Sequence, residues 1–247
     1  MFEEQFILEF SIKHDKIEDY SKYPFCIPAV KQLKTLPLHP QVTFLIGENG
    51  VGKSTLLEAF AVTCGFNPEG GSKNFNFETN STHSELYKYI GLQKGIKNPR
   101  DGYFLRAESF YNLATNLKEL DEIPAASAKL IAAYGGKSLH EQSHGESFLS
   151  LFENRFRGNG LYILDEPEAA LSPMRQFTFL TRLNELVNKG SQFIIATHSP
   201  IIMCYPRSKI YEISNKGINE VQYEDTEHYR ASKAFFGNYK AFIKELI

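Results

Sequence analysis

An α/β fold built on a mostly parallel core sheet is predicted by three features of this 247-residue sequence. The runs 42–46, 161–164 and 193–196 are short and nearly all apolar, as strands covered on both faces are. Each run gives way to polar residues and then to a helical pattern, the layout of parallel strands with helices packed on them. No repeat and no sustained heptad run competes with that reading. A composition of 42% hydrophobic and 23% charged residues suits one large domain over 1–247, with a small helical and insert subdomain at about 67–150.

Taken in order, residues 6–13 alternate apolar and polar side chains, which predicts a half-buried strand peripheral to the core. Residues 55–62 read as a helix. The stretch 67–98 is rich in Gly, Asn, Ser and Lys and reads as an irregular insertion. Ser172-Pro173 supplies an N-cap and a first-turn proline, after which Met174, Phe177, Leu180, Leu183 and Val187 recur at helical spacing until Lys189-Gly190. Residues 209–214 and 218–223 flank Asn215-Lys216-Gly217 as an antiparallel hairpin. Asp225 or Thr226 caps a last helical segment, broken at Gly237-Asn238. Its Phe235, Phe236, Tyr239, Phe242 and Ile243 form an apolar face expected to pack on the domain.

Charge narrows the classes of partner. With 27 Lys+Arg against 29 Asp+Glu, a net charge of −2 leaves no cationic excess to hold nucleic acid or an anionic membrane by bulk attraction. No window approaches the roughly 18 apolar residues of a membrane span, and the acidic start, Phe2-Glu3-Glu4, is unlike a secretion signal. A cytoplasmic protein without membrane insertion is expected. Cys26, Cys64 and Cys204 are too scattered for a metal site and read as small buried hydrophobes in a reducing compartment.

The chemistry is concentrated at three strand ends. Gly47, Glu48, Asn49, Gly50, Val51, Gly52, Lys53, Ser54 and Thr55 fit the phosphate-loop pattern G-x-x-x-x-G-K-[ST], placed between a buried strand and a helix. Glycines allow backbone N–H groups to approach phosphates, and the helix N-terminus adds partial positive charge. Lys53 spans the β- and γ-phosphates of ATP, while Ser54 presents its hydroxyl to Mg²⁺. The run 161–164 ends in Asp165-Glu166. One carboxylate there can approach the metal while the next faces the γ-phosphate and its attacking water, which makes Asp165 the metal-side candidate and Glu166 the general base. Tyr23 and Phe25, upstream, offer π-faces to adenine, although with 20 Phe and 13 Tyr in the chain core packing is the simpler expectation for each.

Residues 47–55, Leu164-Asp165-Glu166-Pro167-Glu168-Ala169-Ala170-Leu171 and Thr197-His198-Ser199 together resemble an ABC-type ATPase head. Nearest in kind are the SMC and RecF class and the small stand-alone bacterial ATPases related to it. The resemblance implies a P-loop NTPase fold, Mg²⁺-dependent hydrolysis of ATP and a head-to-tail homodimer with nucleotides at the interface. It makes His198 the residue that senses the γ-phosphate. It also implies that Gln142-Ser143-His144-Gly145-Glu146 is the signature, with Ser143, Gly145 and Glu146 meeting the nucleotide of the partner subunit. Two departures weigh against a transporter subunit. No glutamine occurs in 102–110, where Glu108 or Arg106 stands instead, and Ser172 replaces an expected aspartate. The distance along the chain from 55 to 143 is too short for long coiled-coil arms. An ATP-gated switch that recruits DNA or a protein is the alternative to an ATPase valued for its turnover.

Overall fold

The structure, a computed structural model, describes residues 5–72, 84–106 and 144–246. Ser143, Glu108 and much of the expected insert lie outside them. The core is a six-stranded sheet in the order β5-β6-β7-β3-β8-β9. It comprises β3 (Val42–Ile46), β5 (Asp101–Arg106), β6 (Gly160–Asp165), β7 (Gln192–Ala196), β8 (Ser208–Ser214) and β9 (Gly217–Val221). All neighbours are parallel except the β8–β9 hairpin, which turns through Asn215 and Lys216. Three peripheral strands, β1 (Ile7–Ile12), β2 (Thr35–Pro37) and β4 (Ile90–Lys94), form an antiparallel sheet in the order β2-β1-β4. Part of the stretch read as irregular insertion is therefore an ordered strand. Ile90 and Leu92 face Ile12 and Phe10 of β1, pairs that a reading of composition overlooks.

Among the described residues the helices are α1 (Pro28–Gln32), α2 (Lys53–Thr63), α3 (His144–Asn154), α4 (Pro173–Asn188), α5 (Pro200–Met203), α6 (Glu227–Gly237) and α7 (Tyr239–Leu246). The near-continuous apolar runs are explained by burial on both faces of the sheet. Leu45, Ile163 and Ile194 point to α2 and the small sheet, whereas Phe44, Tyr162 and Phe193 point to α3 and α4. On that second side, Phe152 stacks on Phe179 at 4.5 Å and Phe156 on Tyr162 at 4.3 Å. Phe152 of α3 also meets Phe193 of β7 edge-on at 6.4 Å, which fixes α3 to the sheet.

A buried polar side chain of β7 bonds across to the peripheral sheet. Gln192 of β7, 1% exposed, accepts from the backbone N–H groups of Phe6 and Ile7 and donates to the carbonyls of Ile7 and His39. Gln192→Ala leaves these buried groups unpaired. It is expected to cost about 2–4 kcal/mol, seen as a lower urea midpoint.

Three expectations are corrected. Ser172 sits at the N-cap of α4 with extended backbone, but its side chain makes no capping bond, and the inward face is Gln176, Phe179, Leu183, Leu186 and Val187. Met174 and Phe177 are exposed, because Gln176 takes the inward place by bonding Leu171 O and Ser199 Oγ. The aromatic face of α6 and α7 buries none of its residues and packs largely on itself, with Phe235 against Phe236 and Phe242. Cys26 and Cys204 are exposed; only Cys64 follows the expectation of a buried thiol.

Candidate functional site

The β6-β7-β3 order places three carboxyl-terminal strand ends side by side, which is where open α/β sheets bind ligands. β3 leads into the loop 47–52, β6 into Asp165-Glu166, and β7 into Thr197-His198. The loop needs its glycines. Gly47 (φ +141°) and Gly52 (φ +103°) hold left-handed backbone, and a Cβ on them would meet Ile213 O at 2.1 Å and Ile27 Cγ2 at 2.7 Å. Gly52 opens α2 with no side-chain cap, so the first-turn N–H groups of α2 stay unclaimed by any capping side chain.

Lys53 is 4% exposed and donates to Gly47 O at 2.9 Å and Glu48 O at 2.8 Å. These bonds engage two of its three ammonium protons and leave one for a ligand. Burial draws its pKa below the ordinary lysine value, against the opposing pull of Glu166, Asp165 and Glu168. Those carboxylates converge on the cation from the β6 end. Ser54 Oγ donates to Asp165 Oδ1 at 3.1 Å, which brings the two expected metal-side groups together.

Glu166 turns sharply away from Asp165. Its backbone is left-handed (φ 48°, ψ 55°), a conformation that costs a non-glycine residue of order 1 kcal/mol, and its N–H is held by Ala196 O. Glu166 Oε1 lies 3.5 Å from His198 Nε2. Thr55 meets the hydroxyl of Tyr23 at 3.3 Å, and Tyr23 is 66% exposed, so this ring lies beside the loop and outside the core; Phe25 packs edge-on against Tyr89.

Two residues of this neighbourhood carry no role in the motif reading. Glu168 Oε1 accepts the backbone N–H of His198, and its carboxyl is pushed above the usual range by burial although that bond pulls it down. His228, at the start of α6, places Nε2 at 3.4 Å from His198 Nδ1. Both contacts span thirty positions or more in sequence, so no local signal announces them. The Pro167-Glu168 stretch is the one hint available.

The other candidates are placed as follows. Gly145 and Glu146 begin α3, and Glu146 pairs with Arg175 of α4 at 3.0 Å. Arg106 is tied to Glu58 at 2.9 Å and to Pro68 O.

A family model described as an AAA domain matches residues 16–142, just over half of the chain. The chain belongs to this AAA-domain family. A second AAA-domain model, whose description also names a type IV toxin–antitoxin system, matches 138–203. Curated relatives of this AAA domain are ABC ATP-binding proteins. The cytochrome c biogenesis ATP-binding export protein CcmA of Legionella pneumophila is 29% identical over 185 residues, 67% of this chain and 87% of that protein. The energy-coupling factor transporter ATP-binding protein EcfA of Methanocaldococcus jannaschii is 25% identical over 230 residues, 85% of this chain and 81% of its own length. The ribose import ATP-binding protein RbsA of Bacillus cereus is 24% identical, and the chain spans 40% of it. A solved ATP-binding cassette of an ABC transporter superposes with a TM-score of 0.54 at 17% identity, covering 95% of this chain and 99% of that one. A nucleotide-free cassette gives 0.52 at 18% identity, with 93% and 96% covered. The fold is that of an ABC-type head, and no helix among the described residues is long and apolar enough to cross a membrane.

Proposed function

We propose that this AAA domain binds ATP with Mg²⁺ and hydrolyses it, and that a second copy completes the site. The observation that carries the reading is the meeting of Lys53, the Ser54–Asp165 pair and the Glu166–His198 pair at adjoining strand ends. The chain fits the cofactors. Among the described residues no cluster of three His, Cys, Asp or Glu side chains forms a stand-alone metal site. A serine hydroxyl and one carboxylate instead suit Mg²⁺ that arrives with phosphate oxygens and water. His198 Nε2 is buried beside Glu166, and when it carries the ring proton it is a donor for a γ-phosphate.

In this reading Lys53 and the loop backbone hold the phosphates, Ser54 and Asp165 hold the metal, and Glu166 takes a proton from the attacking water. His198 contacts the terminal phosphate, and a Mg²⁺ held by Ser54 and Asp165 would supply charge neutralisation at the phosphates. Tyr23 beside Thr55 offers its ring to adenine. Ser143, Gly145 and Glu146 act on the nucleotide of the partner, and Glu146 is presented for that by Arg175. The names of the relatives favour a second reading, the ATP-binding subunit of a transporter; it predicts that the chain extracts from membranes together with an embedded partner.

Phosphate release from ATP tests the first reading. The purified chain is expected to turn over in Mg²⁺ and to fall to background in excess EDTA, with Mg²⁺ restoring the rate. A rate indifferent to Mg²⁺ removes Ser54 and Asp165 from their role.

A further inference from the structure

We propose that His228 is a positioning residue for His198: it donates from Nε2 to His198 Nδ1 and so keeps the His198 proton on Nε2, the nitrogen facing Glu166. The inference deepens the reading above, on which the use made of His198 rests.

The argument starts from what each nitrogen faces. His198 Nε2 looks toward Glu166 Oε1 at 3.5 Å, and an ionised carboxylate only accepts. The favourable arrangement puts the proton on Nε2. Burial, joined by the charge of Lys53, draws His198 below the usual histidine value. Burial does the same to His228, joined by Lys53 and opposed by Glu227 and Glu212. In a neutral ring protonated at Nε2, Nδ1 is a bare acceptor. The group 3.4 Å from it, His228 Nε2, must then be the donor. That assignment leaves His228 Nδ1 without a proton, and this atom is buried with no hydrogen-bond partner. An unmatched acceptor there costs less than an unmatched N–H, so one set of tautomers accounts for both rings.

The pair is held from outside itself. Thr226, fully buried, caps α6 by accepting from Tyr229 N and donates to Tyr223 O. The Tyr223 hydroxyl donates to Pro200 O, two residues beyond His198. The start of α6 is thus docked on the His198 loop whether or not residue 228 is an imidazole. On the other side, Glu168 fixes the backbone of His198. His228 adds what these contacts do not: it discriminates between the two nitrogens of the ring. A ring held in the wrong tautomer would turn a lone pair toward Glu166 and toward any phosphate oxygen beside it.

The test uses the full chain with ¹⁵N-labelled histidine and reads the tautomer of His198 from its nitrogen shifts without nucleotide. Wild type is expected to show a protonated Nε2 and a bare Nδ1. His228→Leu is expected to give a mixture of tautomers and to lower kcat about tenfold at unchanged KM for ATP. His228→Gln, whose amide nitrogen can take the place of Nε2, should retain the wild-type pattern and most of the rate. His228→Asn, too short to reach, should resemble His228→Leu and serves if the latter fails to fold. A His198 proton on Nδ1 in wild type, or a tautomer unchanged in both His228→Leu and His228→Asn, overturns the proposal. If His198→Ala turns over normally while the tautomer pattern holds as expected, the phosphate-sensing reading fails and the positioning role of His228 stands.

Discussion

Lys53→Ala is expected to raise the Kd for ATP about 10²-fold, as measured by titration with a fluorescent analogue. Asp165, Glu166 and Glu168 all act on this lysine. Removing it deletes a charge-assisted contact to the phosphates and leaves three carboxylates facing an anionic ligand. Burial at 4% exposure makes the effect larger than for a surface charge, since little water remains to screen it. An affinity within a few-fold of wild type would mean that the nucleotide phosphates lie elsewhere.

Glu166→Gln is expected to slow hydrolysis by about 10²-fold or more while ATP affinity stays near wild type. The amide keeps the size and reach of the carboxylate but cannot accept the proton of the attacking water. The left-handed backbone at 166 is expected to persist in the variant, because the bond from the 166 N–H to Ala196 O involves no side-chain atom of residue 166. Single-turnover phosphate release separates the chemical step from binding. A rate close to wild type would move the base elsewhere, with Glu168 the next candidate once Asp165 is assigned to the metal.

The parts legible in the sequence are those written in local patterns. The runs 42–46, 161–164 and 193–196 are nearly all apolar because β3, β6 and β7 are buried on both faces, and their adjacency brings the three motifs together. The hairpin 208–221 and the break at Gly237 also follow from local turn chemistry. The orientation of α4 does not. Positions 174 and 177 and positions 176, 179 and 183 are both helical stripes, and the choice falls to the second because Gln176 has tertiary partners at Leu171 and Ser199. The strand at 90–94 is hidden for a related reason, since Gly91 and Gln93 dilute its pattern and β1 supplies the pairing. Glu168 and His228 are hidden because their meaning lies in one residue, His198, that reaches them only after folding.

The claim most in need of a direct test is that two copies build one working site. Ser143→Arg is expected to block closure by its bulk while leaving ATP binding in a single copy intact, and Lys53→Ala disables the phosphate loop. Each variant alone should be inactive. The decisive measurement is phosphate release from an equimolar mixture of the two in Mg-ATP. Recovery of a fraction of the wild-type rate is predicted, because a mixed pair contains one site with a sound loop from one copy and a sound signature from the other. A mixture that stays inactive while both variants remain folded, beside a wild type whose specific rate does not change with protein concentration, would contradict the account.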